Sequence, residues 1–280
     1  MAYSIPLPRF FSSVVVAACT LSCLCASAAE PVTETFAGRT ALVYAPANLP
    51  AFGNRALVVV LHGGLGNAQR LAAGRAESAL NLNAVADAGG FVVAYLNGTP
   101  VARFLGADKL GWNAGGCCGQ PAEKNTDDVG YIRSAVEDIA QRYGIDRSRI
   151  FGVGHSNGAM MTQRVMCETT VFAAAVPISG ALESGATRCP QARGKRLLAI
   201  HGADDANVPV GGGRGKGMAR VDFASEASTA RVWQDSGAMY DLHIVPGTEH
   251  SVDSISAQLL QKESQTLAQK IARFLGLLGR

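Results

Sequence analysis

Short, nearly continuous apolar runs recur along this chain with longer amphipathic stretches between them, and that alternation restricts the fold more than any other feature. ALVVVLHGG (56–64), FVVAYLNG (91–98), RIFGVGH (149–155), AAAVPIS (173–179) and RLLAIHG (196–202) each have the length and composition of a strand buried on both faces. From Asp127 to Tyr143, the residues Ile132, Val136, Ile139 and Tyr143 return every three or four positions and share one helical face. Asn125, Asp127 and Asp128 suit that helix's N-terminus, where a short polar side chain can cap and negative charge is favoured. Ile255, Leu259, Leu267, Ile271, Leu275 and Leu278 draw a second stripe. Strand and helix in alternation imply a mostly parallel sheet covered on both faces, so the expected class is α/β, a three-layer sandwich. With 280 residues, 48% of them hydrophobic and 17% charged, there is material for one large core. The net charge is +3 and no Lys/Arg run interleaves with aromatics, so nucleic acid is not an expected partner.

The N-terminus reads differently. Arg9 precedes FFSSVVVAACTLSCLCASAA, an apolar stretch that ends in small residues, the pattern of an export signal cut near Ala28 or Ala29. The chain then divides into a signal peptide (1–29) and a single domain (30–280), expected in the periplasm or the exterior and with no membrane anchor once the signal is removed. A spanning helix is the weaker reading, because serines interrupt the run and it falls short of the ~20 residues a span prefers. Lipid attachment at Cys19 ranks second, since the apolar segment before it is very short.

Removal of the signal takes Cys19, Cys23 and Cys25 and leaves Cys117, Cys118, Cys167 and Cys189. Four cysteines in an oxidising compartment read as two disulfides. Neighbouring cysteines rarely pair with each other, so the expectation is that Cys117 and Cys118 are each joined to one of Cys167 and Cys189. No Cys-x-x-Cys or histidine pair supports a metal, and no cofactor is expected.

The stretch with chemical content is Gly154-His155-Ser156-Asn157-Gly158, where RIFGVGH meets the helical NGAMMTQRV. Gly-x-Ser-x-Gly at a strand-to-helix junction forms a nucleophile elbow, with the glycines required because a side chain at either would collide with strand or helix. Ser156 needs a base, and the base needs an orienting acid. His250 lies in a loop before the last helical stripe and is favoured as base over His243, which lies inside the strand-like DLHIVPG. Asp205, just past the RLLAIHG strand, is favoured as acid over its neighbour Asp204. The N–H groups of Gly64 and Asn157 are the expected oxyanion donors, with Leu65 as the alternative to Gly64. The irregular segment GWNAGGCCG (111–119) should line the site, where Trp112 either stacks on substrate or packs as a structural tryptophan. GGGRGKG (211–217) is not a phosphate loop, because Val210 and Gly217 stand where Gly and Ser/Thr are needed; it reads as a loop beside the cleft with Arg214 and Lys216 in solvent.

Taken together, LHGG, GWNAGGCCG, DDVGYI, GIDRSRIFGVGHSNGAMM, FAAAVPISG and HGADDANVPVGGG resemble the secreted poly(3-hydroxybutyrate) depolymerase-like esterases, close to the feruloyl and acetyl-xylan esterases of carbohydrate esterase family one. The resemblance runs from about Thr40 to the C-terminus. It implies an α/β-hydrolase fold, carboxylic ester hydrolysis, and a triad of Ser156, Asp205 and His250. Thr248-Glu249-His250-Ser251 and Val210 depart from the aromatic residues common in that group, so the substrate pocket is expected to differ. The partner would be a small-molecule or oligomeric ester such as a hydroxybutyrate oligomer or a feruloyl or acetyl ester. An exported serine peptidase on the same fold and an inert binding protein are the competing classes.

Overall fold

In the computed structural model, residues 1–3, 29–75 and 77–279 are described; residues 4–28 of the expected signal peptide, Cys19 among them, lie outside these. Eight strands form the central sheet: β1 (Val32–Phe36), β2 (Arg39–Tyr44), β3 (Arg55–Leu61), β4 (Val92–Leu96), β5 (Ile145–His155), β6 (Ala174–Ile178), β7 (Arg196–Gly202) and β8 (Met239–Val245). Their spatial order is β1-β2-β4-β3-β5-β6-β7-β8, with antiparallel pairing only where β2 meets β1 and β4. The five sequence runs and DLHIVPG all become strands of this sheet. The β1–β2 hairpin is an addition: β1 is mostly exposed and polar, and β2 has only the short buried run Ala41–Tyr44.

The side-chain period of two sends alternate residues of each central strand to opposite layers. Leu57, Val59 and Leu61 of β3 face one core, and Ala56, Val58 and Val60 face the other; all six are buried. The first layer is closed by α4 (Asp128–Tyr143), α5 (Asn157–Glu168) and α6 (Glu226–Asp235) through Ile132, Ile139, Met161, Val165 and Trp233. The second is closed by α1 (Ala68–Ala72), α2 (Asn83–Gly89), α7 (Val252–Glu263) and α8 (Leu267–Phe274) through Leu71, Val85, Ile255, Leu259, Leu267 and Ile271. One further short helix, α3 (Gly119–Glu123), follows the GWNAGGCCG segment. Asp127 caps α4 by accepting from Gly130 N–H at 2.8 Å. The C-terminal stripe is two helices, not one, because Ser264 turns left-handed (φ 54°) and Thr266 opens α8 with a capping box. Among the described residues no helix is long and apolar enough to cross a membrane.

The cysteines pair differently from the sequence-based expectation. Cys167, near the end of α5, is bonded to Cys189, with their Cα atoms 4.6 Å apart, and Cys117 is bonded to its neighbour Cys118 across a cis peptide bond. The 22-residue reach of Cys189 back to α5 leaves no free partner there for the 111–119 segment. That segment is held by hydrogen bonds instead: Gly116 N–H to Glu183 O at 2.7 Å, Ala114 N–H to Cys117 O at 2.6 Å and Cys118 N–H to Trp112 O at 3.2 Å. Non-reduced tryptic mapping should therefore give one cross-linked species joining residues 165–188 to 189–193, with Cys117 and Cys118 oxidised within a single peptide. Cross-links from Cys117 or Cys118 to Cys167 or Cys189 would restore the other pairing. Replacing Cys167 and Cys189 together by serine should cost about 2–4 kcal/mol of stability, read by urea unfolding.

Candidate active site

The elbow forms because only glycine fits its corners. β5 ends at His155 and α5 begins at Asn157, so Ser156 alone makes the turn, at φ 54° and ψ −122°. Such a left-handed backbone on a non-glycine residue is strained and is found where the surrounding structure enforces it. A Cβ on Gly154 would meet Gly158 O at 2.3 Å, and one on Gly158 would meet Leu61 O at 2.3 Å and His62 O at 2.5 Å. The helix start is thus pressed against the end of β3, and Ser156 N–H is tied to Ile178 O of β6 at 2.8 Å.

Ser156, Asp205 and His250, drawn from three loops at the carboxyl end of the sheet, meet there. His250 Nε2 lies 2.9 Å from Ser156 Oγ, and His250 Nδ1 lies 2.7 Å from Asp205 Oδ2. Burial lowers the His250 pKa and Asp205 raises it, leaving it below the ordinary histidine value. A ring that is neutral, with Nδ1–H donated to a carboxylate, presents a lone pair at Nε2 to the serine hydroxyl. Asp204 is exposed, and its N–H donates to Thr248 O at 2.9 Å. His243 sits on β8, where its Nε2 pairs with Glu263 Oε1 at 3.1 Å. The structure therefore brings together the favoured acid and base and leaves their alternatives outside.

Asp205 is 5% exposed and is fully engaged. Its Oδ1 accepts the N–H groups of Asn207 and Val208, both at 2.9 Å, and its Oδ2 accepts from His250 and from His201 Nε2 at 3.1 Å. Burial alone would raise its pKa, but the hydrogen bonds from His201 and His250 hold it well below the usual carboxylate range. His201 is a residue that strand patterning presents as mere core. It is wholly buried, with Nδ1 at 2.8 Å from Glu226 Oε1 and Nε2 also 2.8 Å from Val208 O; Tyr240 closes the chain by donating to Glu226 Oε2 at 2.6 Å. Every neighbour of the His201 ring is an acceptor, so both nitrogens donate. Burial opposes the charge, but Asp205 and Glu226 outweigh it and bring the pKa up to about 9. The only sequence signal for this relay is the pairing of His201 with Asp205 four residues on; Glu226 gives none.

At the expected oxyanion position, Gly64 and Asn157 are adjacent: a Cβ on Gly64 would lie 3.9 Å from that of Asn157. Leu65 N–H already donates to Leu110 O at 2.8 Å. Gly64 N–H has no acceptor among the described residues, and Asn157 N–H, the first of α5, has none within its helix. The Asn157 side chain is occupied elsewhere. Its Oδ1 accepts Trp112 N–H at 2.7 Å and its Nδ2 donates to Trp112 O at 3.0 Å, which pins the 111–119 segment to the elbow.

Trp112 itself lies in the core and not on the cavity wall, which speaks against the sequence-based option of stacking on substrate. It is 0% exposed, its Nε1–H donates to His62 O at 3.0 Å, and its ring packs beside His62 and Tyr131. The neighbouring cavity, about 460 Å³, opens onto Ser156, Asn157 and His250 and is walled by Leu65, Val101, Leu105, Met160, Val208 and Phe223. No charged side chain lines it among the described residues.

No protein-family model matches the chain. It is similar to a putative esterase, NocK, from Nocardia uniformis subsp. tsuyamanensis (31% identical, 63% of this chain, 48% of that protein). It is also similar to feruloyl esterase B of Piromyces equi (28%, covering 56% and 27%) and to the bifunctional acetylxylan esterase/xylanase XynS20E of Neocallimastix patriciarum (29%, covering 61% and 22%). The chain thus spans half or less of the curated relatives it matches. Among solved structures, an acetyl xylan esterase from Aspergillus awamori superposes with a TM-score of 0.57 at 17% identity over 89% of this chain and 99% of that one. An acylaminoacyl peptidase from Pyrococcus horikoshii superposes with 0.62 at 14% over 90% and 42%. The fold is the α/β-hydrolase fold, and the relatives in sequence are esterases.

Two outcomes check this description. Trp112→Phe should lower stability by about 1–3 kcal/mol, because the His62 carbonyl loses its buried donor, while KM for a small ester stays unchanged; a raised KM would return Trp112 to the substrate. A raised folded pKa means that His201 stabilises fully below about pH 6.5, and that this contribution is lost as pH rises through about 9. Urea unfolding should therefore show stability falling over that window, and the fall should be shallower in His201→Gln. An identical slope in both proteins would contradict the charged His201.

Proposed function

We propose that this chain is an exported serine esterase that hydrolyses neutral carboxylic esters through an acyl-enzyme on Ser156. The observation that carries the reading is the unbroken line from Ser156 Oγ through both ring nitrogens of His250 to a buried, ionised Asp205. His250 Nε2 takes the Ser156 proton as Oγ attacks the ester carbonyl, and Asp205 stabilises the imidazolium that forms. The oxyanion is held by the N–H groups of Gly64 and Asn157, the latter at the positive end of α5. Collapse expels the alcohol, which takes the proton from His250. Water then attacks the acyl-enzyme, with His250 again accepting a proton, and releases the acid and the serine.

The uncharged wall of the cavity favours acyl groups that are apolar and neutral, because a carboxylate buried there would meet no cation. Acetyl, feruloyl and 3-hydroxybutyryl esters all satisfy that condition, and the names of two relatives supply the first two classes. Four oxidised cysteines fit an oxidising compartment and support export. Peptidases share the fold at low identity, which leaves the esterase reading favoured by the sequence relatives.

Ser156→Ala should reduce kcat/KM for p-nitrophenyl butyrate by about a thousandfold or more without changing the melting temperature. Activity retained by this variant would remove Ser156 from the mechanism. A matched amide cleaved as fast as the ester would favour the peptidase class.

A further inference from the structure

Glu77 and His155 take no part in the hydrolytic relay, yet they lie between two of its loops. The segment carrying Glu77 is fixed from the far side by α7: Asp253 Oδ1 accepts from Ser78 Oγ at 2.6 Å and from Ala79 N–H at 2.8 Å. The Glu77 carboxylate accepts Gly63 N–H, at 3.1 and 3.2 Å to its two oxygens, and pairs with His155 Nδ1. The other ring nitrogen of His155, Nε2, lies 2.8 Å from the carbonyl oxygen of His250. A carboxylate and a carbonyl can only accept, so both nitrogens of His155 must donate, and only the imidazolium carries two N–H groups. The site is shaped for this pair, since a Cβ on Gly63 would come within 2.5 Å of Glu77 Oε1 and 3.1 Å of His155 Nδ1. The first glycine of HGG thus leaves the room that Glu77 and His155 occupy.

We propose that His155 is held as an imidazolium between Glu77 and the His250 carbonyl, as a positioning residue that ties the loop of the base to the loop of the oxyanion donors and keeps His250 free of a proton. Its consequence for catalysis rests on the esterase reading, whereas its charge state does not. The two rings are 4.8 Å apart between centroids, so a positive charge on His155 opposes a second one on His250. Burial works against charge on His155, and Glu77 more than compensates, which keeps its pKa above the ordinary histidine value. Burial would raise Glu77, and the His155 charge reverses this. The groups around His155 are Glu77 from the 77–79 segment, His62 from just past β3, Asp205 from the acid loop and behind it His201 from the end of β7, and Glu249, His250 and Asp253 from the last loop and α7. Of these, His62 is neutral, because its buried Nε2 accepts Gly98 N–H at 3.1 Å and its Nδ1 donates to Gly63 O at 2.8 Å.

Imidazole nitrogen–proton correlation spectra of the ¹⁵N-labelled protein test the charge state directly, with His155 assigned by the signals lost in His155→Gln. At pH 8, both ring nitrogens of His155 should be protonated; a singly protonated His155 overturns the proposal. The kinetic arm uses the pH dependence of kcat/KM for p-nitrophenyl butyrate. His155→Gln strands the Glu77 carboxylate near His250, so the acidic limb should move up by about half a pH unit or more, and adding Glu77→Gln should bring it back. The double variant buries no unpaired charge and so reports even if the single one folds poorly. A limb that stays in place in His155→Gln, or one that Glu77→Gln fails to return, overturns the electrostatic role. A protein that hydrolyses no ester would defeat the function while the spectra still decided His155.

Discussion

The close approach of α5 to the end of β3 is the constraint on which the site depends. Gly158 lies so near the carbonyls of Leu61 and His62 that no side chain fits between, and this fixes where α5 starts. From that one contact follow the left-handed turn at Ser156, the placing of Asn157 N–H beside Gly64, and the reach of the Asn157 side chain to both backbone groups of Trp112. Relaxing the contact would therefore disturb Ser156, the N–H of Asn157 and the 111–119 segment together.

Around this elbow the buried charges come as compensated sets. Asp205 is offset by His201, which is offset by Glu226, to which Tyr240 donates; Glu77 is offset by His155. An isolated buried carboxylate would take up a proton and release its histidine, so each partner keeps the next in its working state. Both sets touch His250 and act on it in opposite senses. Asp205 draws a proton toward the ring and His155 opposes one, which suits the proposed role of His250 as a base that gains and loses a proton within each turnover.

The sheet was legible because buried strands leave apolar runs, and the elbow was legible because steric exclusion leaves glycines. His250 could be separated from His243 since a mobile base belongs in a loop and DLHIVPG reads as strand. What sequence could not resolve depends on contacts distant along the chain. Trp112 stands in a glycine-rich loop that suggests exposure, and its burial follows from Asn157, 45 residues later, clamping its backbone. The cysteine pairing turned on distances that spacing does not encode. Glu77 lies in a stretch without periodicity, and Glu226 looks like any acidic residue opening a helix. Their partners His155 and His201 appear as the last polar positions of apolar strands, where packing is the ordinary explanation.

The most direct test of the mechanism is to trap its covalent intermediate. Rapid mixing with a p-nitrophenyl ester, quenching in acid and peptide mass analysis should give a burst of nitrophenol close to one per protein, with the acyl group on the peptide containing Ser156. Ester turnover with no acyl adduct, or with the adduct on another residue, would contradict the account.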